Sequence, residues 1–390
     1  MDDAILTLNA GSSSIKFALF RNGRERPRMA GGAVEGIGEA PRFLVMDEAG
    51  AVVHERTWKQ GAALSHEDLL APLLDWVEGH LGAKRLVAAG HRIVHGGDLF
   101  TGPARLDAAA LDRLATLNPL APLHEPHNLA AVAAMMRLRP ELPEIGCFDT
   151  SFHRTMDKVA ARLPLPRHLH DEGVRRFGFH GLSYEYIAGE LARLAPGLAA
   201  GRVVAAHLGG GASACGMLAG KSVDSSMGFT ALDGLVMGTR CGAIDPGVLL
   251  YLVRARGMDW DAVTALLYRQ SGLLGVSGIS ADMRALLASH EAAAAEAIAV
   301  FTLAAAKHIA ALAVSLNGID GLVFTAGIGE HCPSVRAGIC ARLEWLGVEI
   351  DEPANARNAG VISTAASRVA VRVIATDEEA MIARDCAALV

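Results

Sequence analysis

Apolar runs of strand length recur along the whole chain: AILTL, KFALF, RLVAAGHRIVH, RVVAAHL, GLVFTAG and VRVIAT, each bounded by glycine or charge. Such runs read as strands. HEDLLAPLLDWVEGHLG, YEYIAGELARL and the stretch from about Ala285 to Leu316 read as helices. Strand and helix alternate throughout, so the class is α/β. The prolines and charges around Pro140 to Pro143 read as a loop, and so does LPLPRHL, Leu163 to Leu169. The most membrane-like stretch, AIAVFTLAAA, lies between Glu296 and Lys307. It is far shorter than the roughly 18 apolar residues of a span and reads as a buried alanine-rich helix.

Two strand pairs share an unusual junction. AILTL-NAGSSS-IKFALF has a serine-rich tip between two apolar runs. It is not a nucleotide P-loop, because Lys16 lacks the second glycine and IKFALF continues as a strand, with Ile15, Phe17 and Leu19 on one face. A tip of this kind offers N–H groups, hydroxyls and one ammonium to phosphate oxygens. Taken alone it reads slightly better as a solvated turn, because Gly-Ser turns are common. RVVAAHL-GGGAS-ACGMLAGK repeats the arrangement about half a chain later, and FTAGIGEH, Phe324 to His331, is a third glycine turn after a strand. Two similar tips in two halves point to a duplicated fold that holds nucleotide between the halves.

Length and composition add limits. At 390 residues the chain exceeds one ordinary core, which predicts two domains, with a boundary near Thr150. A net charge of −6 gives no electrostatic reason to expect a nucleic-acid partner. The six cysteines form no C-x-x-C pair, and scattered thiols fit a reducing cytoplasm. The start MDDAILTL is not a signal peptide. Among the 15 histidines, HRIVH and HEPH suggest metal pairs, but Pro122 and Pro126 argue against a helical zinc face.

LNAGSSSIKF, GHRIVHGG, APLHEPHN, FDTSFH, RRFGFHGLS, HLGGGAS, SSMGFTALDGLVMGTRCGAIDP, SGLLGVSGISADMR, FTAGIGEH and ATDEEAMIA run in order from residue 8 to 383. Through these segments the chain resembles the acetokinase family of short-chain carboxylate kinases. The resemblance implies a duplicated ribonuclease H-like, actin-like ATPase fold with an interdomain cleft, in a homodimer. Residues 1–150 would form the first domain, joined by a tail from about 379, and 151–378 the second. The implied reaction is reversible transfer of the ATP γ-phosphoryl to acetate, with Mg²⁺ or Mn²⁺. Propionate or another short acid is the alternative acceptor. A nucleotide-binding protein without catalysis would be expected to have lost the chemical positions, which are intact here.

The same resemblance implies the site. Asn9 and Glu378 would hold the metal, and Ser12, Ser14 and Lys16 would face phosphates. Arg92 would grip the acid, with Val94, Leu123, Phe179 and Ala231 around its alkyl group. Asp149, His180 and Arg240 would be catalytic. Asp149 is expected to order metal-bound waters and basic side chains, since a carboxylic acid is already ionised at neutral pH and needs no base. His207, Leu208, Gly209, Gly210 and Gly211 would contact nucleotide, as would Asp282, Met283 and Arg284. So would Gly327, Ile328, Gly329, Glu330 and His331. The chain departs from the family pattern at Glu125, Gly210, Ala212, Ala231, Cys241, Ala243 and His331. Gly210 and His331 replace asparagines, which bears on nucleotide affinity and on the phosphoryl donor. Ala231 replaces a common proline and leaves a roomier acid pocket.

Overall fold

A computed structural model describes residues 3–58 and 64–390. The chain folds as two compact units, Met1–Phe152 with Asp377–Val390, and His153–Thr376. The exchange points lie two residues from the expected ones, and Glu378 therefore belongs to the first unit rather than closing the second.

In the first unit the strands are β1 (Ala4–Ala10), β2 (Ser14–Arg21), β3 (Arg28–Glu35), β4 (Arg42–Asp47), β5 (Val52–Thr57), β6 (Leu86–Ile93), β7 (Ala104–Leu106) and β8 (Glu144–Phe148). They form one sheet in the order β5-β4-β3-β2-β1-β6-β8-β7. β1 runs antiparallel to β2 and parallel to β6, which is parallel to β8. In the second unit, β9 (Arg202–Leu208), β10 (Ala212–Leu218), β11 (Lys221–Ser225), β12 (Gly321–Thr325) and β13 (Ala370–Val373) follow the order β11-β10-β9-β12-β13. β9 pairs antiparallel with β10 and parallel with β12, which pairs parallel with β13. Both units thus share one pattern, a meander of three strands extended by two parallel strands. The duplication suggested by the two tips is real at the level of topology.

Burial explains which strands the sequence revealed. β8 and β12 are buried at every residue, and β1 and β9 at nearly every one, so they read as continuous apolar runs. In the first unit the helix His66–Leu81 covers one face. Leu69, Leu70, Leu73, Leu74, Val77 and Leu81 form its buried stripe. Ser65 and Asp68 close its start as a reciprocal capping box. The C-terminal helix Glu378–Ala387 packs on β1 and β6.

Three expectations are corrected. The helix expected from Ala285 to Leu316 is two helices, Met283–Ala288 and Ala292–Ser315. Ser289 is extended between them, and its hydroxyl accepts the Glu291 N–H. FTAGIGEH follows a strand as expected but is not an open glycine turn: β12 passes into a short helix, Ala326–His331, with Ala326 itself at φ +64°. LPLPRHL is a loop only at its start, because Arg167–Asp171 is helical. The helix Ala292–Ser315 is the one among the described residues long and apolar enough to cross a membrane, but it lies on the second sheet with Phe301, Ile309 and Leu312 buried.

Gly90 in β6 shows how closely the last helix is seated. A Cβ at Gly90 would stand 2.4 Å from both Ile382 Cγ2 and Cys386 Sγ. Gly90→Ala should push that helix outward and cost about 1–3 kcal/mol, as overpacking does. Urea unfolding of the variant measures the loss; unaltered stability would contradict the close seating.

Candidate active site

In the first unit, three adjacent parallel strands deliver their C-terminal ends side by side, the usual place for ligands in such sheets. Asn9 stands near the end of β1, Arg92 near the end of β6, and Asp149 just beyond β8. Arg92 Nη2 donates to Asp149 Oδ2 at 2.6 Å and Nε to Oδ1 at 3.3 Å. Its Nη1 donates to Asn9 Oδ1 at 3.3 Å, and Glu378 Oε2 lies 3.6 Å from Nε. The four residues come together from positions scattered across the chain. A guanidinium has five N–H donors. Three are engaged in these bonds, and one remains on each Nη.

Burial works against the Arg92 charge, but Asp149 and Glu378 outweigh it and hold its proton more firmly than usual. Glu378 is the opposite case. Burial pushes its carboxyl up to about 7, helped by Asp149 and Glu379 and resisted by Arg92 and Lys16. A half-buried carboxylate short of positive charge fits a cation. Among the described residues no group of three or more His, Cys, Asp or Glu is arranged to hold a metal. Asn9 and Glu378 are oxygen donors, and Mg²⁺ characteristically takes one or two carboxylates and keeps several waters. The donor set therefore fits Mg²⁺. At the first tip the Gly11 N–H donates to the Ser14 carbonyl, and Ser12 and Lys16 are exposed.

Two residues fasten this site: Asn128, which sequence reasoning passed over, and Glu125, noted there only as a departure from the family pattern. Asn128 Oδ1 accepts the Val94 N–H at 3.0 Å, and its amide donates to the Ala10 carbonyl. Glu125 Oε2 accepts the His95 N–H at 3.0 Å. Both lie in the first turn of the helix Glu125–Leu138. Val94 is buried there, and Leu123 is half-buried just before the helix.

In the second unit, β9 and β12 end side by side, with His207 opposite Thr325. Gly209 N–H donates to the Gly211 carbonyl, and a Cβ at Gly209 would touch Ala326. The segments of Leu208–Gly211 and Gly327–Gly329 are therefore neighbours. A Cβ at Gly211 would come within 2.6 Å of Arg240 Nη2 and 3.3 Å of His180 Nε2, so glycine is needed for their approach. His180, at φ +57°, stacks on His207 with ring centroids 4.2 Å apart. His180 Nδ1 is 2.8 Å from Ser213 Oγ, which also bonds the Tyr184 hydroxyl. His207 Nδ1 bonds Ser183 Oγ at 2.8 Å. Arg240 Nη1 donates to the Ala231 carbonyl at 2.7 Å. Phe179 is buried, its carbonyl bonded by His153 Nε2. Ser183 and Ser213 lay inside recognised segments and Tyr184 one residue beyond, yet nothing in the sequence showed that they hold the two histidines.

Other positions take different roles. Asp282 caps the helix Met283–Ala288 and pairs with Arg284 at 2.7 Å on the exposed surface, while Met283 is buried. Glu330 Oε1 accepts the N–H groups of Ala326 and Thr376, which makes its carboxylate a clasp for the strand-to-helix turn. His331 points into solvent and Gly210 is exposed. Arg336, fully buried, donates to the Gly329 and Glu330 carbonyls and to Asn355 and Asn358. Sequence reasoning missed it, since an arginine on a helix carries no mark of burial.

A duplicated sheet with an arginine–carboxylate cluster at one set of strand ends, and glycine tips beside histidine and arginine at the other, defines a two-domain α/β phosphotransferase. The chain belongs to the acetokinase family, whose model matches residues 4–384. It is 50% identical to an acetate kinase from Rhodopseudomonas palustris, covering 98% of each chain. It is 36% identical to a propionate kinase from Francisella tularensis, with a TM-score of 0.91 and 98% of each chain covered. It also matches the crystal structure of Porphyromonas gingivalis acetate kinase, at 34% identity, TM-score 0.87 and 98% of each chain.

Arg336→Met should strand buried carbonyls. Each unsatisfied group costs about 1–3 kcal/mol, so the loss should reach roughly 3 kcal/mol or more. Denaturant unfolding checks this; a loss under about 1 kcal/mol would show that the bonds contribute little.

Proposed function

We propose that this chain catalyses the acetate kinase reaction, ATP and acetate giving acetyl phosphate and ADP, reversibly. The observation that carries the reading is the Arg92 fork, held side-on by Asp149 with one donor left on each Nη. Those donors suit the two oxygens of a small carboxylate. Asp149 acts by orienting Arg92. It need remove no proton, because the acid is already ionised. An acetate oxygen attacks the γ-phosphorus, the bond to the β-phosphate oxygen breaks, and ADP leaves with that electron pair. Phosphoryl transfer depends on positioning and charge neutralisation. Arg240 and His180 supply positive charge and N–H donors to the transferring group. Asn9 and Glu378 would hold Mg²⁺, which when bound neutralises phosphate charge. Ser12, Ser14 and Lys16 face phosphates, and the glycine segments of the second unit lie along the nucleotide. We assign the enzyme to the cytoplasm, consistent with its scattered thiols.

Propionate is the second acceptor. Ala231, small where the family commonly has proline, supports it, and one methylene in an apolar pocket changes discrimination by only about 1–3 kcal/mol.

The assembly we propose is a homodimer. The helix Pro246–Arg254 has no buried residue although it carries Val248, Leu250 and Tyr251, and the adjoining helix exposes Trp260. An apolar surface of this extent suits a second copy of the chain. Light scattering should give twice the chain mass, and Leu250→Lys with Tyr251→Lys should give the mass of one chain. A monomeric parent would refute the dimer.

Hydroxylamine trapping of acyl phosphate from acetate, propionate and butyrate, with ATP, GTP or no nucleotide, tests the reaction. Hydroxamate should form with acetate and ATP, and with propionate at no less than about a hundredth of the acetate kcat/KM. Asp149→Asn should lower kcat/KM about 100-fold or more by loosening the Arg92 fork. No trapped product from any acid would sink the kinase reading.

A further inference from the structure

Glu125 has no part in the chemistry above, yet it is an unusual side chain. It is fully buried. Oε2 accepts the His95 N–H, while Oε1 has no hydrogen-bond partner. No basic side chain bonds it among the described residues. We propose that Glu125 is a positioning residue that works as a neutral carboxylic acid, fastening the turn after β6 and keeping a further negative charge away from the acid-binding arginine. This rests on the acetate-binding reading of Arg92.

The fastening is geometric. The turn leaving β6 carries Val94 and follows directly from Arg92. Its N–H groups are taken in sequence: Val94 by Asn128, His95 by Glu125, Gly96 by Thr150 Oγ1 and Gly97 by His95 Nδ1. Glu125 therefore fixes one of four successive anchors on the segment that aims Arg92 and walls the alkyl pocket. A carbonyl-type oxygen suffices for that bond, so ionisation is not needed to make it.

The electrostatics require the neutral form. On β6, His91 is paired with Glu144 and Arg92 with Asp149. Beyond β8, Asp149 adds negative charge that acts on Glu125. On its own helix, burial lowers the His127 pKa, and His66 of the helix His66–Leu81 lies against the His127 ring with its own pKa also lowered. Neither imidazole offers positive charge at neutral pH. Burial, with Asp149 adding to it and the His95 N–H opposing, pushes Glu125 up to about 8. Once ionised, Glu125 would add negative charge beside Asp149, the partner of Arg92. Acetate, an anion, would then bind Arg92 less well, so the KM for acetate should rise while kcat changes less.

The sign follows from linkage. Native Glu125 keeps its proton from its ordinary 4.5 up to about 8, whereas the unfolded chain loses it near 4.5. The native state therefore loses stability as pH rises through that window. Above it the penalty stays constant. Glu125→Gln keeps the acceptor oxygen and cannot ionise.

Two measurements on the full chain decide the matter. First, the Tm of E125Q minus that of the parent should widen between pH 5 and pH 8 and then level off; a constant offset at pH 5 does not enter. Second, kcat/KM for acetate at saturating Mg²⁺ and ATP should fall about tenfold from pH 7 to pH 9 in the parent, the loss appearing in KM, and less than about twofold in E125Q. A Tm gap that ignores pH, or an identical alkaline fall in E125Q, overturns the proposal. E125N, the residue common in the family, serves as a second neutral variant, and failure of both to fold would show that a neutral side chain does not suffice. The Tm comparison needs no substrate, so it reads Glu125 even if the parent traps no acyl phosphate.

Discussion

The first unit is organised by a buried charge balance at the ends of its parallel strands. Among the described residues Arg92 is the only basic group bonded within the cluster, and Asp149, Asn9 and Glu378 converge on it. A buried guanidinium without partners would be costly, and a buried carboxylate without one costlier still. Each side chain is therefore tolerable only while the others are in place. This requirement accounts for the path of the chain. Strand order places Asn9, Arg92 and Asp149 on neighbouring ends, and Glu378 reaches them only because the last helix returns to pack on β1 and β6. The close seating of that helix over Gly90 is the mechanical side of the same arrangement.

The two copies of the sheet use the same strand ends for opposite electrostatics. In the first unit, Asp149, Glu378 and Glu379 outnumber Arg92 and Lys16 among the charges that act on one another. That surplus favours a divalent cation. In the second unit the strand ends carry glycine and imidazole, with Arg240 beside Gly211 and both histidines bonded to serine hydroxyls. That surface favours anionic oxygens. A phosphotransferase that joins an anionic acid to a polyanionic nucleotide needs both kinds of environment, and duplication of one topology followed by divergence at the strand ends provides them.

Much of this was legible in the sequence, for physical reasons that differ by element. Strands buried on both faces announced themselves as apolar runs. β5, exposed at nearly every position, and β3, interrupted by Gly31 and Gly32, did not. The serine tip of the first hairpin and the glycine tip of the second were visible because tips are local. Asn9, Arg92, Asp149 and Glu378 were each found in a recognised segment, but their convergence was hidden, since it depends on strand order over separations of many residues. The break at Ser289 was missed because alanine-rich sequence on both sides favours helix, while one hydroxyl bond to the backbone ends it locally.

The least legible residues act on backbone rather than on substrate. Glu330, placed by resemblance among nucleotide contacts, accepts with its carboxylate the Ala326 N–H of its own turn and the Thr376 N–H beyond β13. Arg336 does the converse, satisfying carbonyls at the end of the same helix. Together they hold a short segment in which a non-glycine residue, Ala326, sits in the left-handed region. Such a conformation persists only where surrounding bonds over-determine it. His331 and Gly210, which replace asparagines, are both exposed, and His331 Nε2 lies 3.8 Å from Glu330 Oε2, the carboxylate oxygen that the Ala326 and Thr376 N–H groups do not use. The substitutions therefore leave the scaffold of the glycine segments intact. On the proposed reading their consequences fall on what the nucleotide can bond to, while Glu330 and Arg336 hold the turn Ala326–His331 itself.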